Sequence, residues 1–474
     1  MTNVLDANPG VARLGAVTAA MADFIDNATY ENLPPVVVHE ARRALVSFVG
    51  TCFAGARDPA IERIFRVLQA NAAPPSFSLI GRAEKTGLSE AIFLNAASAN
   101  VLDFDDTHLP TLAHLGAPIW AVVLALCEQR RISGREAILA FLLGAETACR
   151  LGAILGREHY DRGWHVTTTT GVIGAAVAAA RLAALDRQSM VWAIGIAANQ
   201  AAGLCRNLGS NAKSLAVGGA ARDGYLAAVF AEAGIDASGA ALDGPRGLIR
   251  VMSSSFMTDI APEDLGTRWE FLGNSHKRYP LCAQLTALVE ASLSLRAAPG
   301  FHVEGLHELT VSVPAALCRI ADRPAPRTGR DCALSIQHAV AVTLLYGSPG
   351  LAAFGDDAAS DPAIVALRAK IRVTAMGDAL ATAMTLVADT LDGRRHLAVG
   401  SEPGAQPMSD DDLTGKSVAL VSVACPAAEA QRLITRLWDV DGVPDLGEQV
   451  AGLQCRARPG ATTRQEKSRG PAVQ

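Results

Sequence analysis

The chain has 474 residues, of which 50% are hydrophobic, 5% aromatic and 19% charged, with a formal net charge of −5. Such apolarity excludes a disordered chain, the balanced charge excludes a broad nucleic-acid-binding face, and the few aromatics disfavour an all-β protein. The length predicts two or three domains.

Residues 12–260 read as helix after helix. Val36 to Phe53 carries apolar residues at helical spacing. Gly134 to Leu155 follows Ser133, with Glu136 placed for a capping box. Gly171 to Leu185, Arg187 to Leu204 and Ala216 to Ala233 continue the pattern. After about 265 the character changes. His307 to Pro314 alternates like a strand, and Leu334 to Tyr346 and Asp361 to Lys370 read as helices. Ile371 to Thr374 reads as a strand. Met384 to Thr390 and His396 to Val399 flank the hairpin signal Asp392-Gly393. Helix resumes after Ser409. The expected fold is therefore mainly α: a large helical domain over 1–268, an inserted smaller α+β domain over 269–405, and a helical return over 406–456. A polar tail, 457–474, is expected to lack structure.

The apolar stretches at 118–127, 171–180 and 190–204 meet polar residues before the ~20 apolar positions that a span needs, so no membrane is expected. The N-terminus lacks the basic start and apolar core of a signal peptide. Nine cysteines are scattered without a CxxC pair, which reads as reduced thiols in a cytoplasmic protein and disfavours structural zinc. Neither GxGxxG nor GxxxxGK[ST] occurs, so no nucleotide cofactor is expected.

Ionisable residues gather in polar islands between the apolar helices. A chain this apolar keeps few such groups near its interior, and those need partners. The first island holds Asp103, Asp105, Asp106, Thr107 and His108, with His114 beyond. It suits acid–base work or a metal, and a capped helix end with a solvated acidic loop explains it equally. The second runs from Tyr160 through His165 and Thr167–Thr170 to Gly171, where free N–H groups and threonine hydroxyls at a helix start suit an anion. A threonine cap beside an exposed histidine is the plainer alternative. The third, Arg206 to Lys213, holds Ser210 three residues before Lys213, a lysine suited to a carboxylate or, if desolvated, to proton transfer; a surface lysine on a loop fits as well. The fourth, His276 to Cys282, is either an anion-facing lip or an ordinary basic turn. Together they suit a small polyanion and proton abstraction beside a carboxylate.

In order, these islands resemble the MmgE/PrpD family of 2-methylcitrate dehydratases, cis-aconitate decarboxylases and iminodisuccinate epimerases. The matching text runs from Ala99 to His108, Tyr160 to His165, Gly209 to Lys213 and Lys277 to Cys282, with Pro326 to Gly329 and Pro407 to Ser409 beyond. The resemblance implies a homodimeric, cofactor-independent enzyme without a metal, whose site lies between two domains. It implies catalytic roles for His165, His114, Lys213 and Asp103. Thr107, Lys277, Ser210, Thr168 and His108 would bind a small polycarboxylate. His165 or His114 would move the proton, the two lysines would hold carboxylates and an enolate-like intermediate, and Asp103 would orient its neighbours. Val166, Cys282, Thr286 and the spacing from Thr107 to His114 depart from common family patterns, while the Gly163-Trp164-His165 form and the run from Lys277 through Tyr279-Pro280 to Cys282 resemble the epimerase or dehydratase members more than the decarboxylases. Two alternatives remain: a non-catalytic carboxylate-binding homologue, and a magnesium-dependent prenyl-diphosphate enzyme using Asp105 and Asp106.

Overall fold

A computed structural model describes residues 17–70, 74–256, 264–377, 383–400 and 407–454. The chain is 61% helical. Among the described residues the first α-helices are α1 (Val17–Asn27), α2 (Pro35–Gly55), α3 (Pro59–Gln69), α4 (Leu88–Asn100), α5 (Gly116–Gln129), α6 (Gly134–Asp161), α7 (Val166–Leu182), α8 (Arg187–Ala198) and α9 (Asn211–Glu232). Two strands, β1 (Phe77–Ser78) and β2 (Lys85–Thr86), form a small ribbon before α4.

The local causes are ordinary ones. Pro35 and Pro59 stand in the first turns of α2 and α3, where a missing N–H costs nothing. Ser133 and Glu136 close the expected capping box of α6. That helix is interrupted at Gly156, whose φ of 70° a residue with a Cβ rarely adopts. By length and composition α6 could cross a membrane, and it is missing from the stretches weighed above. Its most apolar window, however, is 94% buried inside the protein, which accounts for its composition.

Small residues let these helices touch backbone to backbone. A Cβ added to Gly144 of α6 would stand 2.4 Å from the Gly174 carbonyl of α7, and one on Gly174 would stand 2.6 Å from the Gly144 carbonyl. Gly224 of α9 meets the Val172 carbonyl in the same way, at 2.5 Å. Alanine is the better helix former by ~1 kcal/mol, but a backbone carbonyl cannot swing aside. Gly174→Ala is therefore expected to lower stability by about 1–3 kcal/mol, read from the urea midpoint.

A second core, gathered from Tyr279 to Ala398, packs α10 (Thr286–Arg296) and α11 (Ile336–Tyr346) on a four-stranded sheet. Its strands are β5 (Leu306–Pro314), β6 (Ile371–Met376), β7 (Met384–Thr390) and β8 (Arg395–Gly400), in spatial order β6-β5-β7-β8. The β5–β6 pair is parallel, with the intervening helices as crossover, and the other pairs are antiparallel. Gly393, at φ 80°, turns the β7–β8 hairpin where the sequence predicts it. The chain then forms α12 (Asp410–Val421), α13 (Ala427–Trp438) and α14 (Leu446–Ala451). Their apolar faces join the first core: Leu413, Leu433, Ile434 and Leu446 lie in one cluster with Leu45, Ile119 and Phe141. The predicted tail, 457–474, lies outside the described residues.

Two predicted boundaries shift in ways that matter for the site. Helix α7 starts at Val166, so the threonine run lies inside its first turns rather than ahead of it. Helix α9 starts at Asn211, so Lys213 sits in a first turn and not on a loop. A three-residue ribbon escaped the sequence reading: β3 (Asp106–His108) pairs antiparallel with β4 (Asn274–His276).

Candidate active site

The β3–β4 ribbon joins segments about 170 residues apart, with Asp106 opposite His276 and His108 opposite Asn274. Strand β4 and the chain entering it are pinned to two helices. The Nε2 of His276 lies 2.9 Å from Glu40 of α2, which also meets Arg43 at 3.0 Å and accepts from Asn274 at 3.1 Å. Buried Glu146 of α6 accepts the backbone N–H groups of Glu270 and Phe271 and pairs with Arg150 at 2.6 Å, and Arg150 also binds Asp264. The chain entering β4 is thus fixed by a buried ion-pair network.

The ribbon delivers Lys277 to Asp103. The Lys277 ammonium donates to Asp103 Oδ1 at 2.8 Å and to its carbonyl at 3.0 Å. Lys213, from α9, donates to the same Oδ1 at 2.6 Å. One carboxylate oxygen therefore lies between two ammonium groups. Asp103 takes φ 51°, a left-handed conformation that Asp tolerates better than most residues. Burial alone would raise its pKa, but Lys213 and Lys277 outweigh that and hold the carboxyl well below its usual range. Burial likewise opposes charge on Lys213, and Asp103 and Asp105 overcome it, so its pKa rises. Lys213 is a fixed cation.

Two imidazoles complete the cluster. His114 Nδ1 lies 2.7 Å from the Asp106 carbonyl, 3.2 Å from Thr107 Oγ1 and 3.6 Å from Asp105 Oδ1. A carbonyl only accepts, so Nδ1 carries the hydrogen and Nε2 keeps its lone pair. Burial, reinforced by Lys213 and Lys277, lowers His114 to about 4. His165 ends the loop before α7, with Nδ1 3.5 Å from Thr168 Oγ1, and burial and then Lys213 hold it well below its usual value. Both rings are neutral at pH 7.

These groups open on a cavity of about 770 Å³, lined by Asp103, Thr107, His114, His165, Lys213 and Lys277. The second core supplies the opposite wall, including Cys282, Arg330 and Phe354. Ser210 also lines the cavity, its hydroxyl donating to the Asn207 carbonyl at 2.7 Å. Two expected binding residues stand elsewhere. His108 is fully buried, and both its ring nitrogens are engaged, by Thr111 at 2.7 Å and the Glu270 carbonyl at 2.8 Å. It anchors the ribbon. Thr168 Oγ1 donates to the His165 carbonyl at 3.0 Å. Its neighbours behave alike: Thr170 donates to Val166, and Thr167 accepts the His114 N–H. The threonine run satisfies backbone and histidine groups instead of meeting an anion with free hydroxyls.

The two carboxylates of the magnesium alternative do not line the cavity. Asp106 accepts the Gly116 N–H at 3.2 Å on both oxygens, and burial, then Asp105, raises it to about 7. Asp105 accepts from Asn100 at 2.7 Å. Asp103, Asp105 and His114 have ligand atoms within 4.8 Å of one another, but two ammonium groups already stand at Asp103 Oδ1, so the donor set does not fit a cation.

Lys416 of α12 was missed in the sequence. Half-buried, it donates to the Phe104 and Lys277 carbonyls, each at 2.8 Å, and lies 3.9 Å from the centre of the Phe104 ring. It therefore clamps together the two backbones that carry Asp103 and Lys277. Burial, aided by Lys277, lowers it to about 7. The available signal was a lysine on the buried Leu413–Ser417–Leu420 face of its helix.

Because His114 is low in the free protein, the acid limb of kcat/KM should fall near pH 4, well below the ordinary histidine value of about 6.5. A limb at 6–7 would contradict a neutral buried His114. Stability is a poorer reporter. His114 makes the fold weaken as pH falls from 6.5 towards 4, whereas Asp106, protonated in the fold up to about 7, makes it weaken as pH rises over much of that range.

Sequence models of the MmgE/PrpD N-terminal and C-terminal domains match residues 19–261 and 279–440. The chain belongs to the MmgE/PrpD family. Among curated relatives of this MmgE/PrpD protein is cis-aconitate decarboxylase of Aspergillus terreus, 28% identical over 294 residues, which are 59% of this chain and 60% of that protein. The cis-aconitate decarboxylase of Mus musculus is 23% identical over 458 residues, 91% and 92% of the two chains. That of Homo sapiens is 23% identical over 376 residues, 76% and 77%. The match thus spans about three fifths of the Aspergillus protein and nearly all of the mouse one. The MmgE/PrpD C-terminal match runs on into α12 and α13, whose apolar faces belong to the first core.

Proposed function

We propose that this MmgE/PrpD protein is a lyase or isomerase that acts on a small di- or tricarboxylate by removing a proton beside a carboxylate. The observation that carries the reading is one cavity in which two ammonium groups share Asp103 next to two neutral imidazoles. Lys213 and Lys277 hold a substrate carboxylate. His114 Nε2 takes the α-proton, and the C–H electron pair moves into the carboxylate, where the two cations stabilise the enolate-like charge. The substrate carboxylates offset the Lys213 charge at His165, which takes up a proton from solvent on binding and gives it either to a departing β-hydroxyl or to the opposite face of the carbon. Substrate carboxylates offset the lysine charges that depress the histidines, so binding raises the basicity of His114 as it is needed. The steps use only groups of this chain and need no cofactor. We also propose that the protein is a homodimer, which light scattering tests.

A second reading, loss of CO₂, is favoured by the names of the relatives. Cys282 in the cavity wall, with its thiol pushed up by burial, offers no ready proton donor there. The deciding experiment incubates the protein with citrate-, 2-methylcitrate-, aconitate- and iminodisuccinate-type acids in D₂O under NMR. Dehydration or deuterium incorporation is expected. Release of CO₂ would establish the second reading, and binding without conversion would make the protein a non-catalytic homologue.

A further inference from the structure

Resting on that reading, we propose that Asp105 is a positioning residue for the base: its carboxylate stands behind the His114 ring and stabilises the imidazolium that forms when Nε2 takes the substrate proton. Asp105 does not line the cavity, and it is 2% exposed. Its Oδ1 has no hydrogen-bond partner among the described residues. A buried carboxylate oxygen without a donor is costly, and such a group calls for an explanation. That oxygen lies 3.6 Å from His114 Nδ1, the ring nitrogen that does not react. The other oxygen is fixed. Oδ2 accepts from Asn100, at the end of α4, at 2.7 Å, and Asn100 Oδ1 accepts from the Ser214 hydroxyl of α9 at 3.3 Å. Asn100 and Ser214 are themselves buried, so two helices hold the carboxylate with its open side towards the ring.

Asp105 supplies charge rather than a tautomer. The Asp106 carbonyl, at 2.7 Å, already keeps the hydrogen on Nδ1. While the ring is neutral, Asp105 gains little from it. Once the proton reaches Nε2 and the C–H electron pair stays with the substrate, the ring is a cation beside a buried anion. The attraction is strong in the transition state and weak before it, which is the difference that raises kcat. The other charges around the ring cannot do this. Lys213 of α9 and Lys277 after β4 repel an imidazolium, and both already hold Asp103. Burial depresses the ring most, and Asp105, ahead of Asp103, is the carboxylate that opposes it.

The test is a double-mutant cycle. Asp105→Asn keeps the shape and an acceptor for Asn100. It should lower kcat by about 10–100-fold, less than the ~10⁴ lost where a carboxylate also sets the tautomer, with KM changed little. In the His114→Gln background the same substitution should cost less than about twofold, because the charge has no ring to act on. Asn100→Ala, which releases Oδ2 but leaves the charge, should show the same pattern more weakly. In the free protein the His114 ring, followed by NMR, should titrate at lower pH in Asp105→Asn than in wild type, since losing an anion disfavours the imidazolium. Equal losses in the two backgrounds, an unchanged kcat or an unmoved ring titration overturn the role of Asp105 and leave the proposed function standing wherever the wild type turns over an acid. A lowered ring titration in a protein that converts no acid does the reverse: the proposed function falls and the coupling of Asp105 to His114 stands.

Discussion

Asp103→Asn is expected to lower stability by about 3–5 kcal/mol and to abolish turnover. Asparagine keeps the shape and one accepting oxygen, so the loss isolates the charge. In the wild type that single negative charge serves the ammonium groups of Lys213 and Lys277, at 2.6 and 2.8 Å. Without it two buried cations face each other. Lys213, held up by Asp103 in the wild type, must then fall below the unfolded value of about 10.4, so the unfolded chain binds more protons and the variant should gain stability as pH rises towards that value. Urea midpoints at pH 7 and pH 9.5 read both effects. Adding Lys213→Met should recover part of the stability and none of the activity. A variant as stable as wild type at pH 7 would show that the lysines are not jointly charged.

His114→Gln should reduce kcat by 10²–10⁴-fold while changing substrate affinity little, the usual cost of losing a positioned proton-transfer group. Glutamine can still donate to the Asp106 carbonyl, as His114 does at 2.7 Å, but brings no basic lone pair to the place of Nε2. The acid limb of the pH profile should vanish with it. His165→Gln is the comparator. If His114→Gln keeps its kcat and His165→Gln does not, the base is His165, whose ring shares the cavity and is equally neutral.

Much of this arrangement is visible in the sequence, for definable reasons. Capping boxes, hairpin turns and apolar periodicity are local signals, so Ser133, Gly393 and the long helices read directly. The polar islands stand out because charge is scarce in this chain, and seven of the nine candidate residues they suggest meet in one cavity. His108 and Thr168 mislead because residue type does not reveal partners: the Glu270 carbonyl and the His165 carbonyl take up their hydrogens. The β3–β4 ribbon is three residues long on each side, too short for alternation to show. Lys416 is a single basic residue in a helix that opens with three aspartates, and its relevant contacts are 312 and 139 residues away.

The Lys416 clamp also bears on how the protein comes into being. Synthesis proceeds from the N-terminus, and domains begin folding before the chain is finished. Asp103 emerges first, then Lys213, then Lys277, and each arrives as a hydrated charge that needs a partner before it can be buried. The backbones that carry them are tied together only when α12 emerges, more than 300 residues after Phe104. Loop closure over such a span is slow. A ribosome-bound chain therefore carries its lysines in an unclosed, hydrated site, and a competent catalytic centre is among the last things the polypeptide makes.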